Sequence, residues 1–328
     1  MLINQTLSSP CSITSGVIQG SIIGPILFVI YMNDIDLCAR PINESGGISL
    51  FADDTKVYAT EPSKLQTCLT QLGDLLRNRQ LSLASKKCFL LSISKSNENP
   101  APYIFNLNSS TISVTNEMKD LGIIVSDKLK WSNHINSIYN KAKIPSYYIL
   151  KFTKTRNIWT LLSLFITYIR PKLEYNTAVW SPHLKKDIQK IEKIQKDYTR
   201  YAFKRCSIPY SDYLDRLYKL DLHSLEYRRT EFDLIFLYKI INGLCGLNFN
   251  EYYQYRSQPY ALRNKSIQIE TKHHSNNYLW QNNFFTRSTK LWNRLPIEIQ
   301  TSNNLSSFRK NLKEYNLNLI TNLAYPRW

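Results

Sequence analysis

The 328 residues predict an α+β chain, with short strands and two helices in front and a longer helical region behind. Three observations lead there. Up to residue 125, apolar residues come in short alternating or continuous runs broken by Gly, Asn, Asp and Ser, the pattern of strands and tight turns. From Trp131 onward the apolar spacing changes to the helical period of 3.6. The charge changes at nearly the same place: residues 1–120 hold 9 Lys and Arg against 10 Asp and Glu, whereas the remainder holds 33 against 15, for a net charge of +17. A near-neutral front and a basic, aromatic back suit contact with a polyanion made mainly through the back.

Residues 1–12 form a short polar lead. In the stretch that follows, Gly16, Gly20, Ser21 and Gly24 let backbone approach a ligand closely. Pro25 opens a helix that runs to Asn33-Asp34, and its apolar residues predict that it is buried. A polar loop, 35–47, leads to Ile48–Tyr58. There an apolar run ends in Asp53 and Asp54 and a β-prone run leaves them: strand, tight turn, strand, with two carboxylates at the tip. Adjacent carboxylates near apolar strands repel and lose hydration, a cost that a hard divalent cation such as Mg²⁺ relieves; the other reading is an ordinary surface turn. The next helix starts at Pro62, with Ser63 as cap and Gln66 at the capping-box position. Leu65, Leu69, Leu72, Leu75 and Leu76 line one of its faces.

Residues 81–94 read as a loop, Lys86-Lys87, then a buried strand. Tyr103–Leu107 and Thr111–Thr115 alternate around a turn at Asn108-Ser109, and Leu121–Val125 is a further strand, so the front sheet is expected to be largely antiparallel. Behind it, Trp131, Ile135, Ile138 and Ala142 share a helical face. Helices are expected at Ile158–Ile169, stopped by Arg170-Pro171, at Leu184–Tyr201, Tyr210–Leu220 and Leu222–Ile241, and in short form at Phe284–Asn293 and Ser306–Tyr315. Cys245–Gln281 has little helical signal.

Some classes drop out. The six cysteines show no CxxC spacing, and His273-His274 has no cysteine nearby, so neither a disulfide framework nor a zinc site is expected. The N-terminus lacks the basic flank and apolar core of a signal peptide. The run from Ile22 to Met32 is too short to span a bilayer, and no membrane partner is expected.

Taken together, Gly16-Val-Ile-Gln-Gly-Ser-Ile-Ile-Gly-Pro25 and, about thirty residues on, Phe51-Ala-Asp-Asp54 resemble the reverse transcriptase of non-LTR, LINE-type (Jockey-like) retrotransposons. Further blocks follow in the same order. Lys87-Cys88 stands at that family's lysine before a strand. Leu121-Gly-Ile and Asp127-Lys-Leu-Lys-Trp131 through Ile135 resemble its primer grip. Ile169–Tyr175, Val179–Pro182 and Ile191–Gln195 resemble its thumb. Leu225–Arg229, Asp233–Ile235 and Leu291–Pro296 resemble its C-terminal tail. The resemblance implies an incomplete polymerase palm with an antiparallel sheet (1–130), an all-α, thumb-like region (131–205) and a basic, mainly helical C-terminal region (206–328).

It also implies roles. Asp53 and Asp54 would be metal ligands for Mg²⁺ or Mn²⁺ in two-metal nucleotidyl transfer. Gln19, Gly20 and Ser21 would line the nucleotide and template pocket. Lys87 would protonate or stabilise the leaving pyrophosphate, or else is a plain surface lysine. Leu121, Gly122 and Trp131 would grip the primer. The partners implied are an RNA template, a DNA primer or RNA–DNA hybrid, and deoxynucleoside triphosphates. Analogy places translation in the cytoplasm and action in the nucleus.

The family's mechanism uses one more aspartate, on a strand ahead of the glycine motif, and fingers that hold template and triphosphate. Neither is expected in this chain, and Asp34 and Asp36, near a helix end, are not expected to substitute. Ile18 stands where proline is usual and Ala84 where asparagine is usual. A truncated polymerase, inactive alone, is therefore expected; a non-enzymatic nucleic-acid-binding remnant is the alternative.

Overall fold

Two short strands, β1 (Leu2–Ile3) and β2 (Thr6–Leu7), pair antiparallel at the start of the computed structural model. It describes residues 2–3, 6–7, 16–17, 20–42, 45–81, 83–94, 103–108, 110–256, 267–273, 277–321 and 323. The expectations for Ile18, Gln19 and Ser109 lie outside these residues.

Helix α1 (Gly24–Met32) starts with Pro25 in its first turn, where a missing N–H costs nothing. It is not the buried helix its composition predicted. Phe28 and Met32 pack on the core with Ile35 and Cys38, while Ile26, Val29 and Ile30 are 60%, 62% and 64% exposed. The helix is apolar all round, so no polar face marks its outside in the sequence; within its own unit only one stripe finds partners. A 3₁₀ stretch, Asn33–Ile42, replaces part of the expected loop and buries Ile35, Cys38 and Ile42.

Strands β3 (Gly46–Phe51) and β4 (Asp54–Ala59) form the hairpin, paired from Gly46↔Ala59 to Phe51↔Asp54. Glycine is required at its open end: a Cβ on Gly46 would lie 1.9 Å from the Tyr58 carbonyl oxygen. Helix α2 (Pro62–Asn78) packs Leu65, Leu69, Leu72 and Leu76 beneath it. Ser63 does not cap this helix. Glu61 holds the cap position, without a side-chain bond, and Ser63 lies inside the first turn. Gln66 turns instead to Asn106, accepting from its N–H and donating to its carbonyl, each at 2.9 Å.

Strands β5 (Phe89–Leu91), β6 (Asn106–Leu107), β7 (Ser110–Thr111) and β8 (Ser113–Thr115) complete the front. β6 and β7 form the expected hairpin, but β5 pairs with β8 in parallel, and Phe89 of β5 is exposed rather than buried. Among the described residues the strands make two-stranded pairs, not one continuous sheet. Residues 1–118 make one compact unit and residues 119–328 a second.

Within the second unit, β9 (Glu117–Asp120, which begins just before it) pairs with β10 (Ile123–Ser126). Leu121 and Gly122 were expected in a strand and instead form the turn between these two, with φ of 43° and 88°. Positive φ at both central residues matches the twist of a two-residue hairpin. Helix α3 (Ser132–Phe152) buries His134, Ile135, Ile138 and Ala142 and carries Pro145 in its interior. Helix α4 (Ile158–Leu164), capped by Asn157, passes into a π turn, Phe165–Ile169, and then into α5 (Arg170–Glu174). Arg170-Pro171 therefore does not stop the chain. After the wide turn Pro171 lies in the first turn of α5, where its N–H is not needed.

Short helix α6 (Thr177–Trp180) and long helix α7 (Lys185–Arg205) close a core around Phe165, Ile169, Leu173, Trp180, Ile191 and Ala202. Helix α8 (Tyr213–Lys219) is capped by Asp212 and α9 (Leu225–Ile241) by Ser224, each side chain accepting a backbone N–H. Next come α10 (Phe249–Tyr252), the antiparallel pair β11 (Tyr253–Tyr255) and β12 (Ile269–Thr271), α11 (Tyr278–Gln281), α12 (Phe284–Trp292), α13 (Ile297–Gln300) and α14 (Leu305–Glu314). All of these but α11 contribute to a core built on Leu234, Tyr238, Trp292 and Phe308. No helix among the described residues is long and apolar enough to cross a membrane.

Candidate functional site

The hairpin β3–β4 turns through Ala52 and Asp53 alone, since Phe51 already pairs with Asp54. So short a turn forces an unusual backbone, and Ala52 takes φ of 52°. The left-handed region costs an L-residue about 1–2 kcal/mol, and strain of this kind gathers where a side chain must be held in place. Here it presents Asp53 at the apex and Asp54 at the first position of β4, both exposed. Replacing Ala52 with glycine is expected to raise the stability of the first unit by about 0.5–1 kcal/mol, the relieved strain less glycine's extra chain entropy. Urea unfolding followed by a probe in this unit measures it; a loss of stability would show that the turn is not strained.

The two carboxylates are hard oxygen donors, and Mg²⁺ in polymerase-type sites is held by one or two carboxylates together with substrate phosphates. The hairpin tip therefore fits such an ion bound with a nucleotide. Among the described residues no group of three or more His, Cys, Asp and Glu side chains is placed to hold a metal. Asp34 is engaged elsewhere, in an ion pair with Arg79 at 2.7 Å.

The other sequence-predicted positions fall as follows. Gly20 has φ of 82° and open space around it, so the conformation itself calls for glycine. The Ser21 hydroxyl accepts from the Gly24 N–H at 3.0 Å and ties down the start of α1. Lys87 is exposed at the end of a 3₁₀ turn, Ser85–Lys87. The residues after it, Cys88 and Leu90, pack in one cluster with Val57 and Ala59 of β4, so Lys87 and the hairpin are carried on the same core. Leu121, Gly122 and Trp131 belong to the second unit. There the Tyr175 hydroxyl donates to the Leu121 carbonyl at 3.1 Å, and Trp131 packs partly buried beside α3.

Buried polar groups in the second unit had no separate signal in the sequence. Asp233 of α9 is gripped by Arg287 of α12 through both carboxylate oxygens, at 2.7 and 3.0 Å, and Arg287 also donates to the Ala178 carbonyl at 2.7 Å. Burial pushes the Asp233 carboxyl up, and the Arg287 charge opposes that rise. Glu192 of α7 accepts from the Tyr213 hydroxyl and from the N–H groups of Leu225 and Glu226, which caps the start of α9 from outside; burial raises its carboxyl too. Arg229 lies between these acids, fully buried, and its two terminal nitrogens meet no acceptor among the described residues. An Arg and an Asp four residues apart in a helix read equally well as a surface pair. Only the apolar neighbours Tyr227, Leu234 and Leu237 hinted that this face turns inward.

His134 was likewise visible only as part of a longer block. Its Nδ1 accepts from the Ile124 N–H at 3.2 Å, so in the neutral ring the proton sits on Nε2. Nε2 is buried without a hydrogen-bond partner, and the ring packs edge-on to Trp180 at 5.1 Å. Burial, and then the charge of Lys141, pull its pKa down to about 4.

Residues 2–136 match the family model for reverse transcriptase (RNA-dependent DNA polymerase). An uncharacterized protein of Caenorhabditis elegans is 29% identical over 132 residues, 40% of this chain and 67% of that protein. Two Drosophila melanogaster proteins align over longer stretches. A probable RNA-directed DNA polymerase from the transposon X-element is 23% identical over 210 residues, and the RNA-directed DNA polymerase from the mobile element jockey 26% over 201 residues, covering 60% and 57% of this chain. The chain spans only 22% of the length of each of those two polymerases. No solved structure matches. Residues 2–136, which include the paired aspartates of the hairpin tip, thus resemble the reverse transcriptase family, and the chain is similar over more than half of its length to RNA-directed DNA polymerases of two mobile elements.

Proposed function

We propose that this chain serves RNA-directed DNA synthesis as the part that bears the hairpin carboxylates. Asp53 and Asp54 hold Mg²⁺ or Mn²⁺ together with the triphosphate of an incoming deoxynucleotide. The bound ion supplies charge neutralisation at the phosphates and lowers the cost of deprotonating the primer 3′-hydroxyl. The observation that carries this reading is the strained two-residue turn at Ala52-Asp53, which exposes both acids inside the span matched by the family. Gly20 and Ser21, with Gln19, line the nucleotide and template side. Lys87 stabilises the leaving pyrophosphate. The turn at Leu121-Gly122 and Trp131 steady the primer, and the basic second unit follows the backbone of an RNA–DNA hybrid. The regions 1–130, 131–205 and 206–328 then correspond to palm, thumb-like and C-terminal parts.

A finer proposal concerns activity. Among the described residues no third acid joins the hairpin pair, one fewer than the family's transfer uses, so on this reading the site as described does not extend a primer processively. Two measurements decide both points. Mn²⁺ binding in the presence of a deoxynucleoside triphosphate, followed by electron paramagnetic resonance, is expected to weaken at least tenfold in Asp53→Asn. Primer extension on an RNA template with Mg²⁺ is expected to show no processive product. Unchanged Mn²⁺ binding in the variant would overturn the metal assignment. Processive extension that depends on Asp53 would uphold that assignment and overturn the inactivity.

A further inference from the structure

The second unit holds a cleft of about 900 Å³ that has Gly122 of the primer-steadying turn at one edge and is otherwise lined by residues given no role above. His134, Lys141 and Tyr148 of α3 line it together with Tyr168, Lys172 and Tyr175. Both walls are irregular helices. Pro145 has no N–H to offer the Lys141 carbonyl, and Tyr168 belongs to the π turn Phe165–Ile169, a distortion that recurs at functional sites. The three tyrosines are each more than half exposed. No residue lining the cleft is acidic, whereas Lys141 and Lys172 are both exposed there. At its inner side stands His134, 2% exposed, with an Nε2–H that has no acceptor among the described residues. A ligand that satisfies this surface is planar and largely apolar, has an acceptor at its edge and bears a negative charge a few ångströms away.

We propose that the cleft receives one unstacked nucleotide of a nucleic-acid strand, its base on the tyrosines with an acceptor at His134 Nε2 and its phosphate on Lys141 and Lys172. That the ligand is part of a strand rests on the polymerase reading; the planar anionic ligand rests on the cleft alone. Because the low pKa of His134 keeps its ring neutral, it offers one N–H and no charge, and the lysines alone recognise the phosphate. Aromatic stacking tolerates any base, so the cleft does not discriminate sequence.

The test uses the full chain and a single-stranded oligonucleotide carrying 5-iodouridine, which cross-links to a stacked tyrosine on irradiation. Adducts are expected on Tyr148, Tyr168 or Tyr175, displaced by an ordinary oligonucleotide and not by an abasic one. Tyr168→Ala, at an exposed position that leaves the fold intact, is expected to weaken binding about tenfold. Lys141→Gln is expected to reduce the slope of log affinity against log salt by about 0.7. Adducts confined to other residues, with strand binding retained, would overturn the cleft and leave the polymerase reading standing; such a result would also follow if an apolar peptide were the true occupant. Displacement by the abasic oligonucleotide would likewise overturn base insertion. The Mn²⁺ measurement on Asp53→Asn decides the polymerase reading separately.

Discussion

Arg287→Ala is expected to destabilise the second unit by about 3–5 kcal/mol, the cost of stranding one member of a buried ion pair. The Asp233 side chain is only 4% exposed, and its two oxygens face the Arg287 guanidinium. With the arginine gone, the carboxylate keeps the full penalty of leaving water; burial already pushes its pKa up against the opposing arginine charge. Three elements also come apart, because Arg287 joins α12 to α9 through Asp233 and to α6 through the Ala178 carbonyl. The double change Asp233→Leu with Arg287→Met is expected to recover most of the loss, since apolar side chains of similar bulk demand no hydration. Urea unfolding of both variants measures the two values. A single-variant loss below about 1 kcal/mol would mean that water reaches the carboxylate and the pair is not effectively buried.

Acid is expected to weaken the second unit through His134. Its folded-state pKa, about 4, lies below the ordinary 6.5. Between those values the unfolded chain binds a proton that the folded chain refuses, so stability falls as the pH falls. The contribution is fully present above pH 6.5 and lost as the pH drops to about 4, with a ceiling of about 3 kcal/mol. Buried Asp233 and Glu192 act in the other direction, because their raised pKa values make the folded state gain protons first as acid is added. The difference between wild type and His134→Gln isolates the histidine. Glutamine can still accept from the Ile124 N–H but does not titrate. The wild-type curve should fall below the variant's progressively between pH 6.5 and 4; parallel curves would show that the imidazole stays solvated.

The parts of this fold that sequence predicts best are those where one periodicity settles the outcome. In α7 the spacing of Leu184, Ile188, Ile191, Ile194 and Tyr198 predicts one apolar face, and the last four are buried while Leu184, at the cap position before the helix, is exposed. The carboxylate hairpin is equally plain as strand, tight turn and strand, although the turn falls on Ala52-Asp53 and Asp54 already pairs in β4. What escapes prediction depends on partners far along the chain. Gln66 looks like a capping residue until Asn106 is known to lie opposite it. Pro171 looks like a stop because nothing local announces the π turn before it. Helix α1 looks buried because hydrophobicity records a preference for leaving water and not the presence of a neighbour. The candidate site divides in the same way. Asp53 and Asp54 are named by their order in the chain, whereas the orphaned Nε2 of His134 is a product of three-dimensional packing alone.

The π turn sets the phase of the helical surface that follows it. Its ring holds one residue more than an α turn, and one residue corresponds to about 100° of rotation. Leu173, fully buried, faces inward only with that residue in place. Loss of a single codon anywhere in 165–169 would let the helix relax to regular geometry and swing Leu173 a quarter turn or more out of the interior. Descendants of this gene are thus held to a fixed length in that stretch as well as to apolar side chains at the buried Phe165 and Ile169.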